Sequence, residues 1–201
     1  MKIAPTTDRY YKEGNFLRNF IDSIFLKQIL KEVQKYPNVR SILDIGCGEG
    51  FIVNTIMNNT ANINIVCMDI SFDKVHRVKR NFNCQVICAD AYHLPFRDNS
   101  FDMTICTEVI EHLYKPELSL KEIVRVTQNF FILSVPLEPF FQLKDLIRGK
   151  YIKRLGRNIE HIQGYNMKQF FSLVSKCIEP QFKCFEHKII CYWQLLIANK
   201  Q

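Results

Sequence analysis

Residues 41–50 of the chain read SILDIGCGEG, and this stretch decides the fold. Its first five residues are a short apolar run before a glycine cluster, the pattern of a strand buried on both faces. Gly46, Gly48 and Gly50 let the backbone turn sharply and approach a ligand closely. The helix expected from Gly50 to Asn59 then offers free N–H groups at its N-terminus. A dinucleotide fingerprint, G-x-G-x-x-G, requires glycine at position 51, where this chain has Phe51. The third glycine comes one residue early, and Glu49 stands where a pyrophosphate would pass. The loop from Asp44 to Gly50 therefore suits a cofactor without phosphates.

Upstream, Phe16 to Tyr36 shows helical periodicity, with Phe20, Ile21, Ile24, Ile29 and Val33 on one apolar stripe. Pro37 and Asn38 end it. Downstream, strands are expected at Ile63 to Asp69, Gln85 to Asp90, Met103 to Cys106 and Phe130 to Val135. Helices are expected after Ser71, which reads as an N-cap, and from Pro116 to Thr127. Glu108 to Leu113 reads as helix or loop. Such alternation argues for an α/β fold, a parallel sheet with helices on both faces. Tyr165 to Cys177 reads as a further helix. Phe182 to Ile190 and Tyr192 to Asn199 then form a close strand pair, an antiparallel hairpin at the sheet edge.

Ligands of parallel sheets bind at the carboxyl ends of the strands. Asp69 and Asp90 fall at two such ends. An acid at Asp69 is placed to grip ribose hydroxyls, and one at Asp90 can accept from an adenine amino group. Either alone is commonly a helix cap or turn former. With Asp44 they make three acids after three successive strands, which a structural role explains poorly.

The segments LDIGCGEG, the Asp69 strand end, ADAYHLPF and FDMTICTEVIEHL resemble the successive motifs of class I S-adenosylmethionine-dependent methyltransferases. The resemblance covers residues from about 40 to 135 and implies a Rossmann-like, seven-stranded, mostly parallel sheet closed by an antiparallel C-terminal hairpin. It implies that Gly46 and Gly48 pass under the methionine part of the cofactor, that Asp69 holds the ribose, and that Asp90 with Ala91 faces the adenine. Thr107 is expected near the methionine end, and Asp44, Cys47 and Ile70 complete the expected cofactor contacts. NFLRNFI is similar to the N-terminal helix of ubiquinone-pathway O-methyltransferases, which implies that Arg18 pairs with the cofactor carboxylate.

Glu108, Glu111 and His112 have the spacing i, i+3, i+4, which on a helix shares one face. Two carboxylates and an imidazole so arranged suit Mg²⁺ or Mn²⁺; the alternative is a solvated first turn. EVIEHL is similar to the metal-binding segment of the 2′-O-methyltransferases of small-RNA 3′ ends, and ubiquinone-pathway enzymes carry a similar segment. The resemblance implies that His161, in RNIEHIQGYN, completes the site. The chain departs from the RNA enzymes at Asn158, where they tend to have histidine, and it lacks their RNA-binding domains. Glu111, His112 and His161 are the expected catalytic residues: the histidines act as ligands if metal is present and as general bases otherwise.

The chain of 201 residues is long enough for one domain with its own core. That domain divides into an N-terminal helical cap (1–37), a cofactor-binding core (38–135), a substrate-side insertion (136–165) and a closing helix with edge hairpin (166–201). No apolar run approaches the roughly 18 residues of a membrane span, and MKIAPTTDRYYKEGN lacks the apolar core of a signal peptide. The eight cysteines form no C-x-x-C pair and read as reduced core residues of a cytoplasmic protein. The formal charge is +7, and Lys144 to Arg157 holds six basic residues against Asp145 alone. That stretch suits an anionic partner or is simply a solvated surface. The expected function is O-methylation of a small or lipid-linked, anionic acceptor. RNA 2′-O-methylation is one alternative, and a nucleotide-binding oxidoreductase or non-catalytic cofactor binder is another.

Overall fold

The SILDI run is β1 (Ser41–Ile45), at the middle of the sheet. Its side chains alternate between two cores: Ile42 faces one, while Leu43 and Ile45 face the other, the two-residue period of a strand. The computed structural model describes residues 16–147 and 161–200. In chain order these form α1 (Phe16–Gln34), β1, α2 (Phe51–Asn59), β2 (Asn64–Asp69), α3 (Phe72–Asn81), β3 (Gln85–Cys88) and β4 (Phe101–Thr107). A 3-10 turn (Ile110–His112) follows, then α4 (Pro116–Val126), β5 (Thr127–Pro136), α5 (Phe140–Ile147), α6 (Met167–Ile178), β6 (Phe182–Ile190) and β7 (Trp193–Lys200).

The seven strands lie in the order β3-β2-β1-β4-β5-β7-β6. The first five are parallel, and β7 runs antiparallel to both β5 and β6. One face is covered by α1, α2 and α3 through Phe25, Ile29, Ile52, Ile56 and Val78. The other is covered by α4 and α6 through Leu120, Ile123, Phe170 and Val174. The order reverses between β1 and β4, the switch point at whose carboxyl ends ligands of such sheets bind. Asp102 pins the start of β1 to β4: its Oδ2 accepts from the Arg40 and Ser41 amides at 2.8 and 2.9 Å.

Three local details differ from the sequence reading. β3 stops at Cys88, because Asp90 is in a turn whose Oδ1 accepts from the Tyr92 amide at 2.9 Å. β5 starts at Thr127, directly out of α4, with the Thr127 hydroxyl donating to the Ile123 carbonyl at 2.5 Å. Of the cysteines, Cys47, Cys67, Cys84 and Cys106 are buried, but Cys88 and Cys191 are exposed. Among the described residues no helix is long and apolar enough to cross a membrane. Arg148 to Arg157, with Asn158, and the side chain of Arg18 lie outside the described residues.

Candidate active site

The glycine loop is built by backbone that only glycine adopts easily: φ is +73° at Gly46, +54° at Gly48 and +83° at Gly50. A Cβ at Gly46 would overlap Val109, so the loop after β1 packs against the loop after β4. Gly46 and Cys47 donate to the Met68 carbonyl at 2.7 and 2.9 Å, which ties the loop to β2. Asp69, at the end of β2, accepts from the Gly48 amide through Oδ2 and from the Ser71 amide through Oδ1, both at 2.9 Å. Asp44 is buried, and its Oδ2 has no hydrogen-bond partner. Burial, then the charges of Asp69 and Cys84, push its carboxyl up to about 7. Two carboxylates beneath one loop favour a cation there and disfavour phosphate.

Glu49, expected where a pyrophosphate would pass, is paired. Arg77 of α3 holds it with Nε at 3.1 Å and Nη2 at 2.8 Å, so its charge is already answered. Ile70 is exposed beside the loop, and Asp90 with Ala91 stands at the neighbouring strand end. The segment beyond Asp90 is anchored by Arg125, which donates to the Leu94 and Phe96 carbonyls at 3.0 and 2.7 Å. Thr107 ends β4 opposite Ser134 of β5.

Glu111, His112 and His161 come together, with one potential ligand atom from each lying within 4.8 Å of the others. The two imidazoles meet edge to face, their centres 5.0 Å apart. Glu111 is 1% exposed, and neither of its carboxylate oxygens has a hydrogen-bond partner. Burial and the nearby Glu108 charge hold its carboxyl well above the usual carboxylate range. A buried, unpartnered carboxylate beside two imidazoles fits a cation. Glu108 is not in this group. Its φ is +57°, and helical geometry begins only at Ile110, so the i, i+3, i+4 argument fails at its first member.

His161 is delivered by a strap that the sequence did not reveal. The Ile162 and Gln163 amides both donate to the Glu111 carbonyl at 3.0 Å. The Gln163 side chain donates to the Leu113 carbonyl at 2.9 Å. Buried Gln194 of β7 donates to the Tyr165 carbonyl at 2.9 Å. Phe141 of α5 closes the site, 5.3 Å from His161 and 5.6 Å from Tyr192 between ring centres. An isolated Gln or aromatic carries no sequence signal for such a contact; only His161, implied by the resemblance, and the basic stretch from Lys144 pointed to this region.

Residues 43–130 match the family model described as a methyltransferase domain. An uncharacterized protein of Methanocaldococcus jannaschii is 35% identical over 113 residues, covering 56% of this chain and 48% of that protein. The chain spans about half the length of the curated relatives it matches. The structure of a magnesium protoporphyrin IX methyltransferase from Synechocystis, with bound SAH, superimposes with a TM-score of 0.70 at 16% identity, over 98% of this chain and 94% of that one. That of a small RNA methyltransferase gives a TM-score of 0.74 at 18% identity, over 94% of this chain and 26% of the other. At these identities the likeness is one of fold.

Proposed function

We propose that the chain, whose residues 43–130 match the methyltransferase-domain model, is a class I S-adenosylmethionine-dependent enzyme that methylates an oxygen of a small or lipid-linked acceptor. One observation carries the donor half: Asp44 and Asp69 lie at adjacent strand ends beneath a loop of left-handed glycines. S-adenosylmethionine supplies the methyl group on a positively charged sulfur and has no phosphate. The buried, partnerless Oδ2 of Asp44 fits that charge. Asp69 then holds the ribose hydroxyls, Ile70, Asp90 and Ala91 take the adenine end, and Gly46, Cys47 and Gly48 back the methionine part. Thr107 borders the methyl group, and Arg18 pairs with the cofactor carboxylate.

On the acceptor side Glu111, His112 and His161 are the residues that would hold a divalent cation. Two imidazoles and one carboxylate match Mn²⁺ better than Mg²⁺, which prefers oxygen ligands throughout. A cation there would lower the pKa of an acceptor hydroxyl. Glu111 must lose its raised-pKa proton to serve as ligand, so loading is coupled to proton release. Where no ion is bound, His112 or His161 takes the acceptor proton. Phe141 and Tyr192 supply an apolar wall that excludes water from this side.

Calorimetry separates the two halves. The wild-type chain should bind S-adenosylmethionine and Mn²⁺, whereas Glu111→Gln should bind the cofactor alone and lose methyl transfer to labelled cell extract. Unchanged Mn²⁺ binding in that variant removes the metal from the proposal. A nicotinamide cofactor binding in place of S-adenosylmethionine removes the donor. RNA 2′-O-methylation is a second reading, supported by the Glu111–His112–His161 group and by the basic residues from Lys144 to Arg157. RNA binding through phosphates must weaken steeply as salt rises, and a salt series tests for it.

A further inference from the structure

The buried part of β7, from Trp193 to Ala198, is apolar except at Gln194, which is 0% exposed. An aliphatic side chain would be buried there without polar cost, whereas an amide must have its donors and its acceptor met. Gln194 meets all three. Its Nε2 donates to the Tyr165 carbonyl at 2.9 Å and to the Pro136 carbonyl at 3.4 Å, and its Oε1 lies 3.2 Å from His187 Nε2 on β6. Turned the other way, the amide would set its oxygen against two carbonyl oxygens. The two carbonyls thus fix the direction of the amide, and Oε1 in turn requires a proton on His187 Nε2. That donor is present in the neutral tautomer and in the charged ring alike. The imidazole is itself held in place: it stacks on Phe171 of α6 with centres 6.2 Å apart, and meets Phe170 edge to face at 6.3 Å.

This pair holds the strap that carries His161. The strap runs from His161 to Asn166, the N-cap of α6. Its near end is tied to the Glu111 carbonyl by the Ile162 and Gln163 amides. Tyr165 forms its middle. The Tyr165 carbonyl accepts from Gln194 and from the Glu138 amide at 3.0 Å, and the Tyr165 hydroxyl donates to Gln163 Oε1 at 2.9 Å. The other end of the Gln163 amide donates to the Leu113 carbonyl. Hydrogen bonds thus run from His187 through Gln194, Tyr165 and Gln163 to Leu113, linking the edge strand β6 to the turn of Glu111 and His112. We propose that His187 and Gln194 are positioning residues for the acceptor side: they fix the strap and, through it, the place of His161 beside Glu111 and His112. The inference rests on the reading of those three residues as the acceptor-side group. Groups that orient a metal ligand from behind commonly matter to affinity nearly as much as the ligand does. No member of the series belongs to the glycine loop or to its acids, so cofactor binding is independent of it.

Three variants of the full chain test the proposal. Gln194→Leu removes the amide, His187→Phe keeps a ring but removes the donor, and His187→Gln supplies a donor again. In the first two, the Ile162 and Gln163 amides should exchange with deuterium faster by NMR, and Mn²⁺ affinity by calorimetry should fall by about tenfold. S-adenosylmethionine affinity should stay that of wild type. His187→Gln should recover most of both losses, which ring packing alone would not allow. The His187 variants lie on the edge strand and carry the test if Gln194→Leu does not fold. The proposal is overturned by unchanged exchange in folded variants, by faster exchange with wild-type Mn²⁺ affinity, or by a loss in His187→Gln equal to that in His187→Phe. Wild-type protein that binds no Mn²⁺ overturns the metal reading instead. The rate of methyl transfer from labelled cofactor to cell extract then replaces Mn²⁺ affinity in the same comparison.

Discussion

Asp44 shows how a residue in the motif acts beyond its motif role. Its carboxyl is pushed up to about 7, first by burial and then by Asp69 and Cys84, against an ordinary value of 3.8. Between those two values the folded state holds more protons than the unfolded state. The contribution of Asp44 to stability is thus full below the ordinary value and is lost as pH rises through about 7. Moving the ligand-free protein from about pH 5 to about pH 8 should cost roughly 2–3 kcal/mol through this group. Urea titrations at the two pH values should show the drop in wild type and a flatter profile in Asp44→Asn. Equal slopes in the two proteins would mean that Asp44 is ionised throughout. The sequence named Asp44 because it precedes the glycines. It could not show that the Asp69 charge adds to the cost of ionising Asp44, since that depends on β1 and β2 lying side by side. Glu49 is the converse case: its position suggested a barrier to phosphate, yet Arg77, 28 residues on, already holds it.

At the level of elements, α1 is fastened to the edge strand β6 by a charged cluster under its last turn. Glu32 is fully buried and accepts from Lys188 at 2.8 Å and from Gln28 at 2.5 Å, while Lys35 lies 2.7 Å from its other oxygen. Burial alone would raise its carboxyl, but Lys188 and Lys35 outweigh burial and hold it below the ordinary value. Lys188 also pairs with Glu186. Removing the buried acid leaves two ammonium groups partly desolvated, so Glu32→Ala should destabilise the chain by about 2–3 kcal/mol. The expected reading is a lower urea midpoint with an unchanged slope, and a loss under about half a kcal/mol would show that water replaces the carboxylate. The apolar stripe predicted α1 itself, since periodicity is local. Its charged tether was not legible, because Glu32 and Lys188 meet only through the fold. The loop after β4 shows the same limit. Its spacing suggested one helical face, but the left-handed backbone at Glu108 breaks the helix before it starts and leaves Glu111 and His112 to meet His161.

For the whole molecule, the last strand in the chain is not the last in the sheet. β7 lies between β5 and β6, paired with β5 from Phe130↔Asn199 to Pro136↔Trp193. It buries Leu195, Leu196, Ile197 and Ala198, and its Gln194 holds the Tyr165 carbonyl of the strap. A chain ending at Ile178 would leave Phe131, Ile132 and Leu133 beside a bare edge. Such a truncation should aggregate and show no cooperative thermal transition by calorimetry. A monomer that melts cooperatively would show instead that the parallel half folds alone.

The sequence by itself determined the parallel α/β core, the glycine loop and the acids at Asp44, Asp69 and Asp90. These features depend on neighbouring residues: a two-residue period in strands, a 3.6-residue period in helices, and glycine where φ must be positive. Only the tertiary structure decided what those residues meet. It turned Arg77 onto Glu49, excluded Glu108 from the group at Glu111, and brought His161 to His112 through amides bonded to the Glu111 carbonyl. It also left Phe140, Leu143 and Leu146 facing outward. The reason is range: each of these outcomes depends on segments far apart in the chain, and no local pattern records which of them will touch.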